Sequence, residues 1–188
     1  GPSANRSGSV SPTTAAHVSA AFSPDDVLVL DGGPCAGGIE STVVSLVTQP
    51  ARILRPGLIS ADQISQALGA SVEQQGTPGP GPLASPGQLP IHYAPQTRAV
   101  LVESPALPAF LRSTDPATIL SHSLRQVPAP HRLIAMPTDA AAYAARLYAA
   151  LREADALHLS LIVIERPPAT GPIWEAIADR LARATSPA

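Results

Sequence analysis

The stretch DAAAYAARLYAALREADALHLSLIVI, residues 139–164, holds a helix and then a strand. Tyr143, Leu147 and Leu151 recur at i, i+4 and i+8, which puts them on one face of an α-helix over residues 139–153. Residues 159–164 follow as a short apolar run with the character of a buried strand. Residues 173–184 repeat the helical pattern with Trp174, Ile177 and Leu181. Upstream, residues 99–102, 118–120 and 132–136 read as further strands. Strands that alternate with helices predict a small, mostly parallel, Rossmann-like α/β domain over residues 96–188.

Toward the N-terminus, residues 76–95 contain six prolines and four glycines, a composition that supports neither a helix nor an interior strand. They are read as a linker strap. Residues 1–75 then form a separate mixed α/β unit. A helix is expected over residues 11–21, with Ser11 as its cap and Pro12 at its first position. Strands are expected at residues 27–30, 41–47 and 51–54, separated by the turn Asp31-Gly32-Gly33-Pro34 and the pair Gly37-Gly38. A helix capped by Ser60 and ended by Gly69 closes the unit. No internal repeat is visible.

The 188 residues are 45% hydrophobic, enough for real cores, and the reading is a globular, soluble protein. No apolar run reaches the ~20 residues that cross a bilayer, and the first ten residues lack the pattern of a signal peptide, so a cytoplasmic address is expected. One cysteine, Cys35, excludes an internal disulfide. Five scattered histidines give no ligand spacing, and no metal site is predicted. Net charge is −2, with basic residues spread along the chain, so nothing marks a nucleic-acid surface and direct nucleic-acid binding is not expected. All twelve basic residues are arginine. That excludes a P-loop lysine, a Schiff-base lysine or a lysine general base within this chain. Any phosphate clamp must use arginine, hydroxyls, amides or backbone N–H groups. A GC-rich genome explains the arginine bias equally well.

Four clusters combine small residues, which let a ligand approach the backbone, with donors suited to phosphate or carboxylate oxygens. They are Pro2-Ser3-Ala4-Asn5-Arg6-Ser7-Gly8, the run from Gly32 to Thr42, Arg55-Pro56-Gly57, and Ser85-Pro86-Gly87 with His92-Tyr93-Ala94-Pro95. Each also has a plain structural reading. Ser3, Asn5 and Ser7 suit turns, the glycine pairs suit turns, Arg55 suits a solvated strand end, and Tyr93 suits an anchor for the strap. Glu40 fits either a general base or, better, a salt-bridge partner, and Cys35 has no neighbour in sequence that would generate a thiolate.

In their order along the chain these clusters carry a resemblance. Ser3-Ala4-Asn5-Arg6-Ser7-Gly8 with Ser11-Pro12-Thr13, then Gly38-Ile39-Glu40-Ser41-Thr42-Val43-Val44, then Ile53-Leu54-Arg55-Pro56-Gly57, resemble the second half of the YrdC-like domain. The strap from Ser85 to Pro95 resembles the linker of two-domain threonylcarbamoyl-AMP synthases, and residues 171–184 are similar to the last helix of their C-terminal domain. The resemblance implies an enzyme that converts L-threonine, bicarbonate and ATP, with Mg²⁺, to threonylcarbamoyl-AMP and pyrophosphate, in the making of threonylcarbamoyladenosine in tRNA. A separate transferase then uses the adenylate. Carried over position by position, Ser3 and Ser41 would contact threonine, and Asn5, Thr13 and Arg55 would contact ATP. His92 and Tyr93 would close over the nucleotide. Family members also have an N-terminal half with a Lys-x-Arg element, which a lysine-free chain does not carry, so this chain alone is expected to be inactive. Ser45 stands where an aspartate often follows the Glu-Ser-Thr-Val-Val run. Two other readings are carried: carbamoyl-adenylate chemistry on another acceptor, and a non-catalytic nucleotide- or RNA-binding module.

Overall fold

The computed structural model describes residues 3–74, 93–113, 115–168 and 170–185. In the N-terminal part, α1 (Ala15–Ser19) precedes the strands β1 (Val43–Ser45), β2 (Ala51–Arg55) and β3 (Val72–Gln74), with α2 (Ala61–Leu68) between β2 and β3. β1 runs antiparallel to β2, and β3 runs parallel to it, so this small sheet is mixed with order β1-β2-β3. The parallel pair needs a crossover, and α2 supplies it. Its ends are set by local chemistry. The Ser60 hydroxyl accepts from Gln63 N while the Gln63 side chain accepts from Ser60 N, a reciprocal capping box. Gly69 then adopts φ 64°, the left-handed conformation that ends the helix.

The second part holds β4 (Ala99–Val102), α3 (Leu107–Ser113), β5 (Ala117–Ser121), β6 (Arg132–Ala135), α4 (Ala140–Ala156), β7 (Leu161–Glu165) and α5 (Pro172–Ala184). The four strands form one all-parallel sheet in the order β4-β7-β5-β6. Alternation along each strand divides the core. Ile162 and Ile164 join Ala99, Leu120 and Ile134 under α4 and α5, whereas Val163 joins Val102, Ala117 and Ile119 under Leu107 and Leu111 of α3. Both faces are covered, which is why β7 reads as a continuous apolar run and not as an alternating one. Asp139 caps α4 by accepting from Ala142 N at 2.9 Å. At the other end of α4, the Asp155 carboxylate accepts from Gln96 N and Thr97 N and so ties the chain entering β4 to the helix.

The two parts share a core. Val10, Ile39 and Tyr93 belong to the same buried cluster as Tyr143, Leu147, Leu151, Trp174 and Ile177. Helix α4 is therefore packed on two sides. The stripe Tyr143, Leu147, Leu151 faces the sheet, while the row Ala144, Tyr148, Arg152, also spaced by four, meets the N-terminal part.

Several expectations are corrected. No strand forms at residues 27–30: Leu28 and Leu30 are 85% and 83% exposed, with no ladder partner among the described residues. The strand expected over residues 41–47 is only Val43–Ser45, because Ser41 O accepts from Arg55 and the Thr42 hydroxyl donates to Ile59 O. The first helix starts at Ala15 with Thr14 as its cap, since the Ser11 hydroxyl is committed to Glu40. α3 was not anticipated because Pro105 and Pro108 disguise it; they sit in a 3₁₀ turn and the first helical turn, where proline is tolerated. Most of the strap, residues 76–92, lies outside the described residues, as does residue 75. No described helix is long and apolar enough to cross a membrane.

Candidate functional site

A cavity of about 570 Å³ opens between the first residues of the chain, the glycine-rich turns and the β1–β2 region. Five of the residues singled out from sequence meet there: Ser3, Thr13, Ser41, Arg55 and Tyr93. The hydroxyls come from loops and the guanidinium from the end of β2. Asn5 is not part of the wall. Its amide donates to Arg6 O and Ser9 O, both at 3.0 Å, and its Oδ1 is buried without a hydrogen-bond partner among the described residues. His92 lies outside the described residues, so the structure does not place it.

Arg55 is held rather than solvated. Its Nε and Nη2 both donate to Ser41 O, at 3.2 and 3.1 Å, and Nη1 donates to the Tyr93 hydroxyl at 3.4 Å. Tyr93 is 1% exposed, stacks on Tyr148 with ring centroids 5.6 Å apart, and has φ 62°, a left-handed backbone that a tyrosine rarely adopts. Burial pushes its phenol above the usual value, as does the Glu40 carboxylate, while Arg180 and Arg55 pull it back. Next to Tyr93, Ala94 N donates to Gly8 O at 2.9 Å, so the end of the strap is fastened to the Ser-Ala-Asn-Arg-Ser-Gly segment. Next to the cavity-lining Thr13, His17 Nδ1 accepts from Thr13 N at 3.1 Å, which fixes the ring proton on Nε2 in the neutral form. Burial, with Arg152 adding to it, holds the His17 pKa below its ordinary value.

Glu40 acts as the centre of an ion-pair network, as its salt-bridge reading anticipated. Its Oε1 accepts from the Ser11 hydroxyl at 2.6 Å, and Oε2 accepts from the Tyr148 hydroxyl at 2.8 Å and from Arg180 Nε at 3.1 Å. Arg152 donates to the carbonyls of Val10 and Ser11 beside it. Glycine is required where the chain presses on its neighbours. A Cβ on Gly38 (φ 71°) would sit 2.2 Å from Ala144 O, and one on Gly57 would sit 2.3 Å from Thr42 N.

Sequence reasoning missed Tyr148, Arg152 and Arg180. The signal was present as arginines on helix rows next to apolar stripes, but such positions ordinarily belong to a solvated flank. Only a second body packed against α4 and α5 turns that flank into an interface.

Known proteins bear on this geometry. A family model described as Threonylcarbamoyl-AMP synthase, C-terminal domain, matches residues 59–186, and one described as Telomere recombination matches residues 1–57. The chain is 33% identical over 198 residues to the threonylcarbamoyl-AMP synthase of Bacillus subtilis (strain 168), covering 97% of this chain and 56% of that protein. It is 37% identical over 106 residues to that of Pyrococcus abyssi (strain GE5 / Orsay), covering 55% of this chain and 31% of the relative. The crystal structure of P. abyssi Sua5 complexed with L-threonine matches with a TM-score of 0.82 at 27% identity, over 98% of this chain and 56% of that one. The chain thus spans about half the length of the relatives it matches along its whole extent. With one family model accounting for well over half of its residues, the chain belongs to the threonylcarbamoyl-AMP synthase family.

Proposed function

We propose that the cavity is the ATP and threonine site of an L-threonylcarbamoyladenylate synthase, and that this chain supplies one side of it. The convergence of Ser3, Thr13, Ser41, Arg55 and Tyr93 on one 570 Å³ space carries the reading. Ser3 and Ser41 offer hydroxyls to the amino acid, and a relative crystallised with L-threonine supports that ligand class. Thr13 and Arg55 face the nucleotide, where a guanidinium matches phosphate oxygens in shape and charge. Asn5 belongs to the same segment as Ser3 and serves the site through the turn it fixes, its amide donating to Arg6 O and Ser9 O. Tyr93 and His92 of the strap close over the ligands and exclude water from a labile carbamate and adenylate. The organisation we infer is residues 1–75 as the C-terminal half of a YrdC-like domain, 76–95 as the strap and 96–188 as a Rossmann-like domain.

The reaction is threonine, bicarbonate and ATP going to threonylcarbamoyl-AMP, pyrophosphate and water: the threonine amine takes up the carbon of bicarbonate, with loss of water, to give a carbamate. The carbamate oxygen attacks the α-phosphorus of ATP and pyrophosphate leaves. The residues of this chain bind, orient and exclude water, so catalysis is by positioning and charge stabilisation. Mg²⁺ counts as part of the nucleotide substrate; among the described residues no group of three or more His, Cys, Asp and Glu is placed to hold a metal ion. The adenylate passes to a separate tRNA transferase.

Cys35 gives a test that does not depend on turnover. It is the single cysteine, it is exposed, and it lines the cavity. MgATP with L-threonine is expected to slow its alkylation by iodoacetamide, and an alkylation rate unchanged at millimolar ligand refutes the site. Threonine- and bicarbonate-dependent pyrophosphate release, measured on this chain and on a polypeptide of the relatives' full length, tests the reaction. Activity that ignores threonine points to carbamoyl-adenylate chemistry on another acceptor. Nucleotide binding without any release of pyrophosphate supports the binding-module reading.

A further inference from the structure

The residues facing the cavity are held from behind by the C-terminal helices. Arg180 of α5 has no exposed surface. Its Nε donates to Glu40 Oε2 at 3.1 Å, Nη2 to Glu40 O at 3.3 Å, and Nη1 to Pro56 O at 2.7 Å and Asp179 Oδ2 at 2.9 Å. Its guanidinium carbon also lies 5.7 Å from the centre of the Tyr93 ring, within cation–π range. Glu40 and Pro56 are the immediate neighbours of Ser41 and Arg55. One guanidinium therefore joins the three segments that carry the ligand-facing groups at 41, 55 and 93. Tyr148 of α4 completes the clamp, donating to the same Glu40 oxygen and stacking on the same Tyr93 ring.

Stability alone does not account for an arginine here. Removing a guanidinium from water carries a desolvation penalty of several kcal/mol, and well-packed apolar residues often serve as well or better in such places. A flat fork that reaches two carbonyls and two carboxylates at once does something an apolar side chain does not: it sets the separation of the segments it joins.

We infer that Arg180 and Tyr148 are positioning residues for the ATP and threonine site, acting through Glu40, Pro56 and Tyr93, so that the C-terminal helices are the support on which that site is built. The inference rests on the proposed function of the cavity. It assigns α4 and α5 a part in ligand affinity although neither residue lines the cavity.

The experiment titrates ATP and L-threonine into the whole chain by calorimetry, with Cys35 alkylation as a second readout, for wild type, Arg180→Met, Arg180→Lys and Tyr148→Phe. Methionine retains the packed stem. It leaves the Glu40 carboxylate without its arginine, so a lower Tm is expected; well below that Tm it is expected to keep the circular dichroism spectrum while weakening ATP by about tenfold or more and reducing Cys35 protection to match. Lysine retains the charge, but one ammonium does not span Glu40 and Pro56 together, so it is expected not to restore affinity. Arg180→Met binding both ligands within twofold of wild type overturns the inference, and so does full rescue by lysine. Should Arg180→Met fail to fold, Tyr148→Phe decides. A loss of about threefold or more with an unchanged Tm supports the clamp, and unchanged binding overturns it. A wild-type chain that binds neither ligand refutes the site reading itself, and the inference falls with it.

Discussion

Replacing Gly38 with alanine tests the docking of the two parts of the chain. Gly38 has φ 71°, and a Cβ there would lie 2.2 Å from Ala144 O, 2.3 Å from Ala145 Cα and 2.7 Å from Ala145 C. All three atoms belong to the backbone of α4, which no rotamer change relieves. Two effects add. A side chain in the left-handed region costs about 1–2 kcal/mol, and overpacking against a fixed neighbour adds about 1–3 kcal/mol, for about 2–5 kcal/mol in total. Two other glycines separate these effects. Gly69 (φ 64°) has nothing within 4 Å of its would-be Cβ, so Gly69→Ala carries only the backbone strain. Gly57 lacks a left-handed φ but would clash with Thr42 N at 2.3 Å and Ser41 C at 2.6 Å, so Gly57→Ala carries only the packing effect. Urea unfolding followed by circular dichroism and by the fluorescence of Trp174, the single tryptophan, reports all three. Destabilisation of about 3 kcal/mol in Gly38→Ala corresponds to a Tm lower by about 6–12 °C. If Gly38→Ala is no worse than Gly69→Ala, the N-terminal part does not sit on α4 as described, and the account of the Glu40 network fails with it.

Three further outcomes are expected. Glu165 is fully buried; burial raises its pKa, but hydrogen bonds from the Ser121, Ser123 and Ser104 side chains and from Ser123 N outweigh that and bring it from 4.5 to about 2. Because its folded pKa is depressed, its contribution of about 3 kcal/mol is complete above pH 4.5 and is lost as pH falls toward 2; Glu165→Gln should flatten stability over that window, and a wild-type-like acid profile refutes the assignment. The His17 pKa is lowered from 6.5, so its neutral form favours folding and the contribution is lost as pH falls through and below that value. The protection of Thr13 N against hydrogen exchange, taken relative to the intrinsic rate at each pH, should fall below about pH 6.5, and His17→Gln should remove that fall. Tyr143 is fully buried, and its hydroxyl has no partner among the described residues, so Tyr143→Phe should be neutral or stabilising by up to about 1 kcal/mol in a thermal melt.

Much of the secondary structure was legible because it is local. Ser60, Gln63 and Gly69 delimit α2 through contacts within three residues, and the stripes 143/147/151 and 174/177/181 carry their own period. The motifs that line the cavity were legible too, as small residues mixed with Ser, Thr and Arg. Where the reading failed, a distant partner decided. Residues 27–30 have strand composition, yet strand formation needs a neighbouring ladder, and none is present among the described residues. Ser11 has the composition of a helix cap, but its hydroxyl goes to Glu40, 29 positions away.

The amino-acid sequence by itself determined the alternation of strands and helices, the exclusion of lysine chemistry within the chain and five of the side chains that meet at the cavity. Only the tertiary structure decided that Glu40 is a structural anion, that Arg180 and Tyr148 reach it from 140 and 108 residues away, and that α4 buries two faces. The physical reason is that period and propensity describe a side chain's relation to its own helix or strand. Whether a buried charge is satisfied depends on what the rest of the chain brings within about 3 Å of it.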